Sequence, residues 1–588
     1  MRLIETRLLE GPNVYRLEPV VKLEVAVGRR RSWYGQRDPG RHALVHLGAD
    51  VPAHDWPNDV AAVGAWIRRL RSEHGEGRRG LAVHRSSDPG HWIITFPWIG
   101  LERSLTLTEA ALSLAERDVS PSPTAHLTGN QERIVARWMA RIAEAGTTAP
   151  SWIRDVDRHV PIVSISGTNG KTTVTRLITH ILLLAGRKVG TTTSDGVLVD
   201  ERMVEPGDWT GPGGAHQILV RSDVDVAVLE TARGGMVLRG VGYESNDASV
   251  LTNVSSDHLD LQGIHTLPEL AEVKSTVCRI TKPDGWVVLN GDDPYVAAVA
   301  RRVRAQVAYF SLQPGGGSPI VQRHVQRGGR AYLVRDGSLV EADARRVTEI
   351  AEIRGIPITI GGLARHNVAN ALAAAGGARA MGASIAEVAH GLTDFRPDAD
   401  RSPGRLNLFR LGAKVIIVDY AHNEAGIAAV LDVAEGIAGG AAGRAAPITV
   451  IIGTAGDRPD DTLRGIGRIA AERAQRVAVK QASRHLRGRT PESLVGEFLT
   501  GIAAGGGDPA AVPIYESETA ALRAEINGGA DGGSSGTRPD AARVIVLMCH
   551  SEREQVFDLL DEVGARPVDI ASELTDLVPR LQERPRRE

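Results

Sequence analysis

The chain has 588 residues, 42% of them hydrophobic and 24% charged, with a formal net charge of −2. That length suits about three or four domains, each able to bury a core, and the near-neutral balance excludes a strongly basic nucleic-acid binder. No run of about 18 apolar residues occurs, and acidic residues stand where a secretory leader needs an apolar stretch, so a cytoplasmic chain with no membrane partner is expected.

Residues 1–155 are expected to form a small α+β domain. Short apolar or alternating stretches at 20–27, 43–47 and 92–96 predict strands, and 60–72 and 108–117 predict helices. Its aromatic residues Trp92, Phe96 and Trp98 are read as core rather than as a binding face. A Ser-Pro segment at 119–124 and a helix over 131–145 lead to a boundary between Gly146 and Val160.

Next comes PIVSISGTNGKTTVT, from Pro161, which reads as strand, Gly-rich turn and helix, the last over 174–184. Gly167 and Gly170 let the backbone bend closely around an anion, and the opening helix turns unpaired N–H groups towards it. Thr168 and Asn169 complete the turn. Lys171 supplies a point charge for outer phosphates, and the hydroxyl of Thr172, followed by Thr173, suits a Mg²⁺ ion. A turn that holds nothing must account for Lys171, and lysine is scarce here, at seven positions, because arginine carries nearly all the positive charge.

Over 156–398, strand-like runs at 162–165, 224–229, 248–253 and 286–289 alternate with helical patterns, which predicts an α/β domain whose mostly parallel sheet is covered on both faces. Ligands on such sheets sit beyond the carboxyl ends of the strands. Glu230 ends one run and can hold Mg²⁺ there. Asp257 and His258 follow another; alone they read as a cap and a helix-start hydrogen bonder, and Lys274 as a solvated helix charge. Beside Glu230 and Thr172 they become a set of metal and phosphate ligands.

A smaller α/β domain is expected over 399–588, from apolar runs at 414–418, 448–452 and 543–548. Gly/Ala-rich stretches at 436–446 and 528–536 read as solvated loops. Cys278 and Cys549 lie in apolar segments without metal-ligand spacing and are expected to be buried thiols. The acidic residues Asp457, Asp460 and Asp461 suit either a cationic amine or a helix start.

The motifs SGTNGKTT, ETARGG, TNVSSDHLD, the Lys274 helix, GGLARHNVANALAA and VDYAHN follow the order and approximate spacing of the Mur ligase superfamily, which the chain resembles over about residues 160–588. Within it, TTTSDGV, GDWTGPGGA, SPGRLNLF, GDRPDD and LRGR resemble the Mur-ligase half of the cyanophycin synthetase family, and LLEGPNVYRLE resembles that family's amino-terminal domain. That family carries an ATP-grasp domain between these parts, where this chain has a short linker.

The resemblance implies an ATP- and Mg²⁺-dependent ligase that joins a carboxylate to an amine through an acyl phosphate. It implies that 168–170 and Lys171 hold phosphates, that Thr172, Glu230 and His258 hold metal, and that Lys274 does so if carbamylated. His366, Asn367 and Asn370 match the family's HN motif, with Asn367 at the adenine or ribose. Arg405 would reach the phosphates on closure, Asp419 and His422 would meet nucleotide and amine, and Thr210, Arg233 and Arg458 are candidates for substrate, although a surface ion pair explains Arg458 equally well. The expected substrates are an amino acid, arginine-like, and an Asp- or Glu-containing peptide or polyamide acceptor. Rival readings are a ligase for a cell-wall or γ-glutamyl acceptor and a nucleotide-binding partner of a separate ATP-grasp ligase. Self-association is the default expectation.

Overall fold

The computed structural model describes residues 1–27, 48–77, 80–98, 100–256, 259, 261–440, 446–456, 458–481, 486, 488–528 and 542–578. Three sheets organise them, of four, eleven and seven strands.

The amino-terminal sheet is antiparallel and includes Val20–Ala26 and His91–Pro97. Alternation decides its faces: Val21, Leu23 and Val25 pack into a core with Trp66, Phe96 and Trp98 under helices Asn58–Glu73 and Leu101–Glu116. Trp98 Nε1 donates to the Leu9 carbonyl at 3.0 Å, so its polar tip is satisfied inside. On the other face Lys22 is bracketed by Glu24 at 2.8 Å and Glu5 at 3.0 Å. The stretch at 43–47 lies outside the described residues.

Seven parallel strands form the middle of the central sheet, and Ile162–Ser166 lies between Val226–Glu230 and Asn246–Leu251. Helix Lys171–Leu184 leaves the first of these strands, and the chain returns two places away at Val189–Thr192 before filling the gap with Val226–Glu230. The chain thus reverses its direction of travel across the sheet beside Ile162–Ser166, which opens a crevice at the carboxyl ends. One face packs on Lys171–Leu184, Arg365–Ala380 and Ile385–Asp394, the other on Pro212–Leu219, Leu267–Lys274 and Thr276–Arg279. Antiparallel ribbons close both ends.

In the carboxyl-terminal sheet, Lys414–Asp419, Arg543–Met548, Ile448–Ile452 and Arg476–Lys480 run parallel. The expected loop at 436–446 begins instead as the last turn of helix Glu424–Gly440, because Ile437 and Ala438 are buried in this lobe's core; 529–536 lie outside the described residues. Both cysteines are buried. The join between the lobes is itself folded: the buried Asn407 donates Nδ2 to the carbonyls of Pro397, Asp398 and Ser402 at 2.7 to 3.1 Å, and accepts from Gly404 N–H at 2.6 Å. No helix among the described residues is long and apolar enough to cross a membrane.

Candidate functional site

The Gly-rich loop fits its place because two residues lack a Cβ. Gly170 has φ +84°, and a Cβ there would stand 2.3 Å from Asn370 Oδ1; one on Gly167 would stand 1.9 Å from Thr252 Oγ1. Neighbouring residues brace the loop. Asn253 accepts from Asn169 N–H at 2.9 Å and donates to the Asn169 carbonyl at 3.0 Å, and Thr168 N–H donates to the Asn253 carbonyl at 2.8 Å. Lys171 Nζ donates to the Thr168 carbonyl at 3.0 Å, which keeps it folded over the loop. The helix starts at Lys171, three residues before the apolar pattern does, so Lys171, Thr172 and Thr173 form its first turn.

Glu230 ends the strand next to the loop and is 3% exposed. Burial raises its pKa, against the charges of Lys171 and Arg405 and the Thr172 hydroxyl. Its Oε2 has no hydrogen-bond partner. A buried carboxylate oxygen without a donor, next to a hydroxyl and an ammonium, fits a hard cation and a bound phosphate. Lys274 comes from helix Leu267–Lys274 and donates Nζ to the Gly167 carbonyl at 2.8 Å from beneath the loop. His258 and Asp257 lie outside the described residues.

Across the crevice, His366, Asn367 and Asn370 lie within helix Arg365–Ala380, whose N-cap is Ala364. The Asn side chains therefore do not cap it: Asn370 Nδ2 donates to Asn367 Oδ1, and Asn367 Nδ2 to the Ile358 carbonyl, each at 3.0 Å. Burial lowers His366 to about 4 against a weak pull from Asp432, so its imidazole is neutral at pH 7.

The carboxyl-terminal lobe supplies the far wall. Asp419 ends a strand and accepts from the N–H groups of Leu406 at 2.8 Å and Ala421 at 2.7 Å; burial raises its pKa against Arg405 and these donors. His422 Nδ1 donates to the Tyr420 carbonyl at 3.0 Å. Arg405 lies 4.4 Å from the centre of the Tyr420 ring and extends Nη2 to 3.4 Å from both Thr172 Oγ1 and Ser194 Oγ. Asn423 Nδ2 donates to Asn169 Oδ1 at 3.0 Å. Between the walls lies an open cleft, lined among others by Gly170, Asn253, His366, Asn370, Asp419 and His422.

Thr210 lines a smaller cavity beside Glu230 and donates to Asp208 Oδ1 at 2.6 Å. Arg233 is buried and donates to the Leu261 carbonyl at 2.6 Å and to Gln262 Oε1 at 3.0 Å. Arg458 is buried rather than at the surface, and it is not among the residues lining the main cleft. Asp460 opens helix Asp460–Arg473 and pairs with Arg489, while Asp457 lies outside the described residues. Sequence reasoning missed Asn253, Ser194, Tyr420 and Asn423. Each stands beside or inside a quoted motif, but a small polar or aromatic side chain there carries no distinctive spacing.

A second buried network holds the Asp419–His422 turn from behind. Glu518 pairs with Lys480 and accepts from the N–H groups of His550, Ser551 and Glu552. His550 Nδ1 is 3.1 Å from Lys480 Nζ, and Nε2 donates to the Ala421 carbonyl at 2.9 Å. Although burial opposes it, Lys480 helps hold the Glu518 carboxyl down at about 2. Glu518→Gln strands the buried ammonium and is expected to cost about 3 kcal/mol, read as a lower urea midpoint at pH 7.

Two family models match the chain: the Mur ligase middle domain at residues 165–378, and the Mur ligase, glutamate ligase domain at residues 404–548. A cyanophycin synthetase of Synechocystis sp. is 42% identical over 323 residues, 55% of this chain and 36% of that protein. The chain thus spans little more than a third of the length of that relative. A UDP-N-acetylmuramoyl-L-alanyl-D-glutamate–2,6-diaminopimelate ligase of Chlorobium phaeobacteroides is 29% identical over 347 residues, 58% of this chain and 64% of that one. A solved bifunctional folylpolyglutamate synthase/dihydrofolate synthase aligns with a TM-score of 0.49 at 17% identity, over 68% of this chain and 89% of that one. Because the two models together take in more than half of its residues, one on the sheet that carries the Gly-rich loop and one on the sheet that carries Asp419, the chain belongs to the Mur ligase family.

Proposed function

We propose that this chain is an ATP- and Mg²⁺-dependent carboxylate–amine ligase that joins an amino acid, arginine-like, to an Asp- or Glu-containing peptide or polyamide. The observation that carries the reading is the partnerless oxygen of Glu230, buried beside Lys171 and Thr172 and faced by Arg405 from the other lobe. Direct condensation of a carboxylate with an amine is uphill in water, so the carboxylate is first activated as an acyl phosphate; ATP supplies the phosphoryl group, and Mg²⁺ neutralises its charge.

The protein's own work is placement. The 167–170 backbone and Lys171 cradle phosphate oxygens, Thr172 and Glu230 offer oxygen ligands to the metal, and Arg405 adds positive charge where negative charge develops. Asn367, Asn370 and His366 form the nucleoside side of the cleft. Asp419 and His422 face the incoming amine, and the neutral His366 adds no competing charge. Closure of the two lobes keeps water from the acyl phosphate. The identity shared with cyanophycin synthetases supports the choice of substrates.

The test is phosphate release from Mg-ATP by the full chain, with Asp- and Glu-containing acceptors crossed against free amino acids including arginine, and Lys171→Ala as control. Release that needs both partners, with a product mass equal to their sum less water, is expected. Tight ATP binding with no turnover across the panel would instead favour a nucleotide-binding partner of a separate ligase.

A further inference from the structure

The proposed phosphate chemistry leaves Asp195 without a task, yet this carboxylate is where the two lobes meet. It follows the Val189–Thr192 strand, and its side chain is 8% exposed. Oδ2 accepts from Arg176 Nη2 at 2.7 Å, on the helix that leaves the phosphate loop. Oδ1 accepts at 2.8 Å from Arg553 Nη1, at the start of helix Arg553–Glu562 in the other lobe, 358 residues away in sequence. Both oxygens are thus taken by guanidinium groups, which argues against a metal or substrate role for this side chain.

The surroundings tie that pair to the site. Arg176 also donates to the Arg401 carbonyl in the join between the lobes. Arg553 lies 5.9 Å from the centre of the Tyr420 ring that also carries Arg405 at 4.4 Å. Arg405 in turn reaches Ser194, the residue before Asp195, at 3.4 Å. Arg553 also packs against Gly404, where a Cβ would stand 3.3 Å from Arg553 Nε. Arg176 from the phosphate-loop helix and Arg553 from the far lobe therefore close on one carboxylate, and Arg405, also from the far lobe, acts on it through its charge. Without it, three like charges face one another at low dielectric and push the lobes apart.

We infer that Asp195 and Arg553 are positioning residues that latch the carboxyl-terminal lobe onto the phosphate-loop lobe and thereby set Arg405 over Thr172 before nucleotide binds. The conformational part stands alone; its consequence for nucleotide rests on the ligase reading. A protein that must close to bind shows a dissociation constant raised by the reciprocal of its closed fraction. Breaking the latch therefore raises the apparent nucleotide constant and the KM for ATP, and leaves kcat at saturation near that of the parent.

The test uses the full chain with spin labels on cysteines introduced at exposed Val220 and Ile514, one in each lobe; the native cysteines are buried. Without nucleotide, the parent is expected to give one short, narrow distance distribution. Asp195→Asn and Arg553→Gln should each move weight to longer distances, the double variant no further, and Asp223→Asn, at an exposed pair with Arg221, should change nothing. Mg-ADP affinity should fall about tenfold in either latch variant. Should Asp195→Asn not fold, Arg553→Gln carries the test. Unchanged distances in a folded Arg553→Gln protein would overturn the latch. Absence of Mg-ADP binding by the parent would sink the ligase reading, while the distances still decide the latch.

Discussion

Replacing Glu230 with glutamine is expected to cut ATP-dependent phosphate release about a thousandfold while leaving the fold intact. The two effects have separate causes. Glutamine keeps the shape of the side chain but gives up the charge that a divalent cation or a phosphate-bound metal requires. The charge itself is held at a cost, since burial works against ionisation and Oε2 has no donor. The melting temperature without nucleotide is accordingly expected to stay level or rise, whereas the increase that Mg-ATP confers on the parent should vanish. Scanning fluorimetry beside the phosphate assay reads both. Turnover within tenfold of the parent would remove Glu230 from the metal site.

Gly170→Ala is expected to abolish nucleotide binding and lower stability by about 3 kcal/mol, the sum of a left-handed alanine and an overpacked contact. The contact is specific: the new methyl group would stand 2.3 Å from Asn370 Oδ1, and Asn370 is tied in turn to Asn367. Relief would drag the Gly-rich loop away from the helix that carries Asn367 and Asn370. Gly186 provides the matched control, because its φ is +79° and nothing lies within 4 Å of its would-be Cβ. Gly186→Ala should show only the backbone cost, about 1 kcal/mol, with nucleotide binding unchanged. Urea melts and Mg-ADP titrations of the two variants separate strain from collision, and equal behaviour would show that the Asn370 contact does not matter.

The Gly-rich turn was readable as a strand-turn-helix because backbone geometry dictates it: a glycine must stand where φ is positive, and the helix opens with the lysine that follows. The parallel strands were readable for a similar reason, since burial on both faces leaves near-continuous apolar runs such as 448–452 and 544–548. What escaped depends on the distance between chain segments. The pairing of Asn169 with Asn423 spans 254 residues, and nothing local to either asparagine announces it. Arg458 fits a surface ion pair by pattern, yet tertiary packing buries it. Lys480 and Glu518 look like ordinary surface charges until strand order brings them together inside the lobe. The helix through Gly440 was hidden because its glycines suggest a loop, while Ile437 and Ala438 gain enough by burial to extend it.

The folded join around Asn407 bears on how the lobes find each other. A slack tether would let the carboxyl-terminal half tumble, and each approach would be a three-dimensional search with many wrong dockings. Here one buried amide gathers the carbonyls of Pro397, Asp398 and Ser402, so the connecting segment is a strap with a set shape. Leu406, fastened to Asp419, makes Arg405 part of the lobe that swings and leaves little of the connection free to pivot. A join of this kind would confine any opening of the lobes to a narrow arc, like a door on its pins, and would bring the guanidinium of Arg405 back to the same spot.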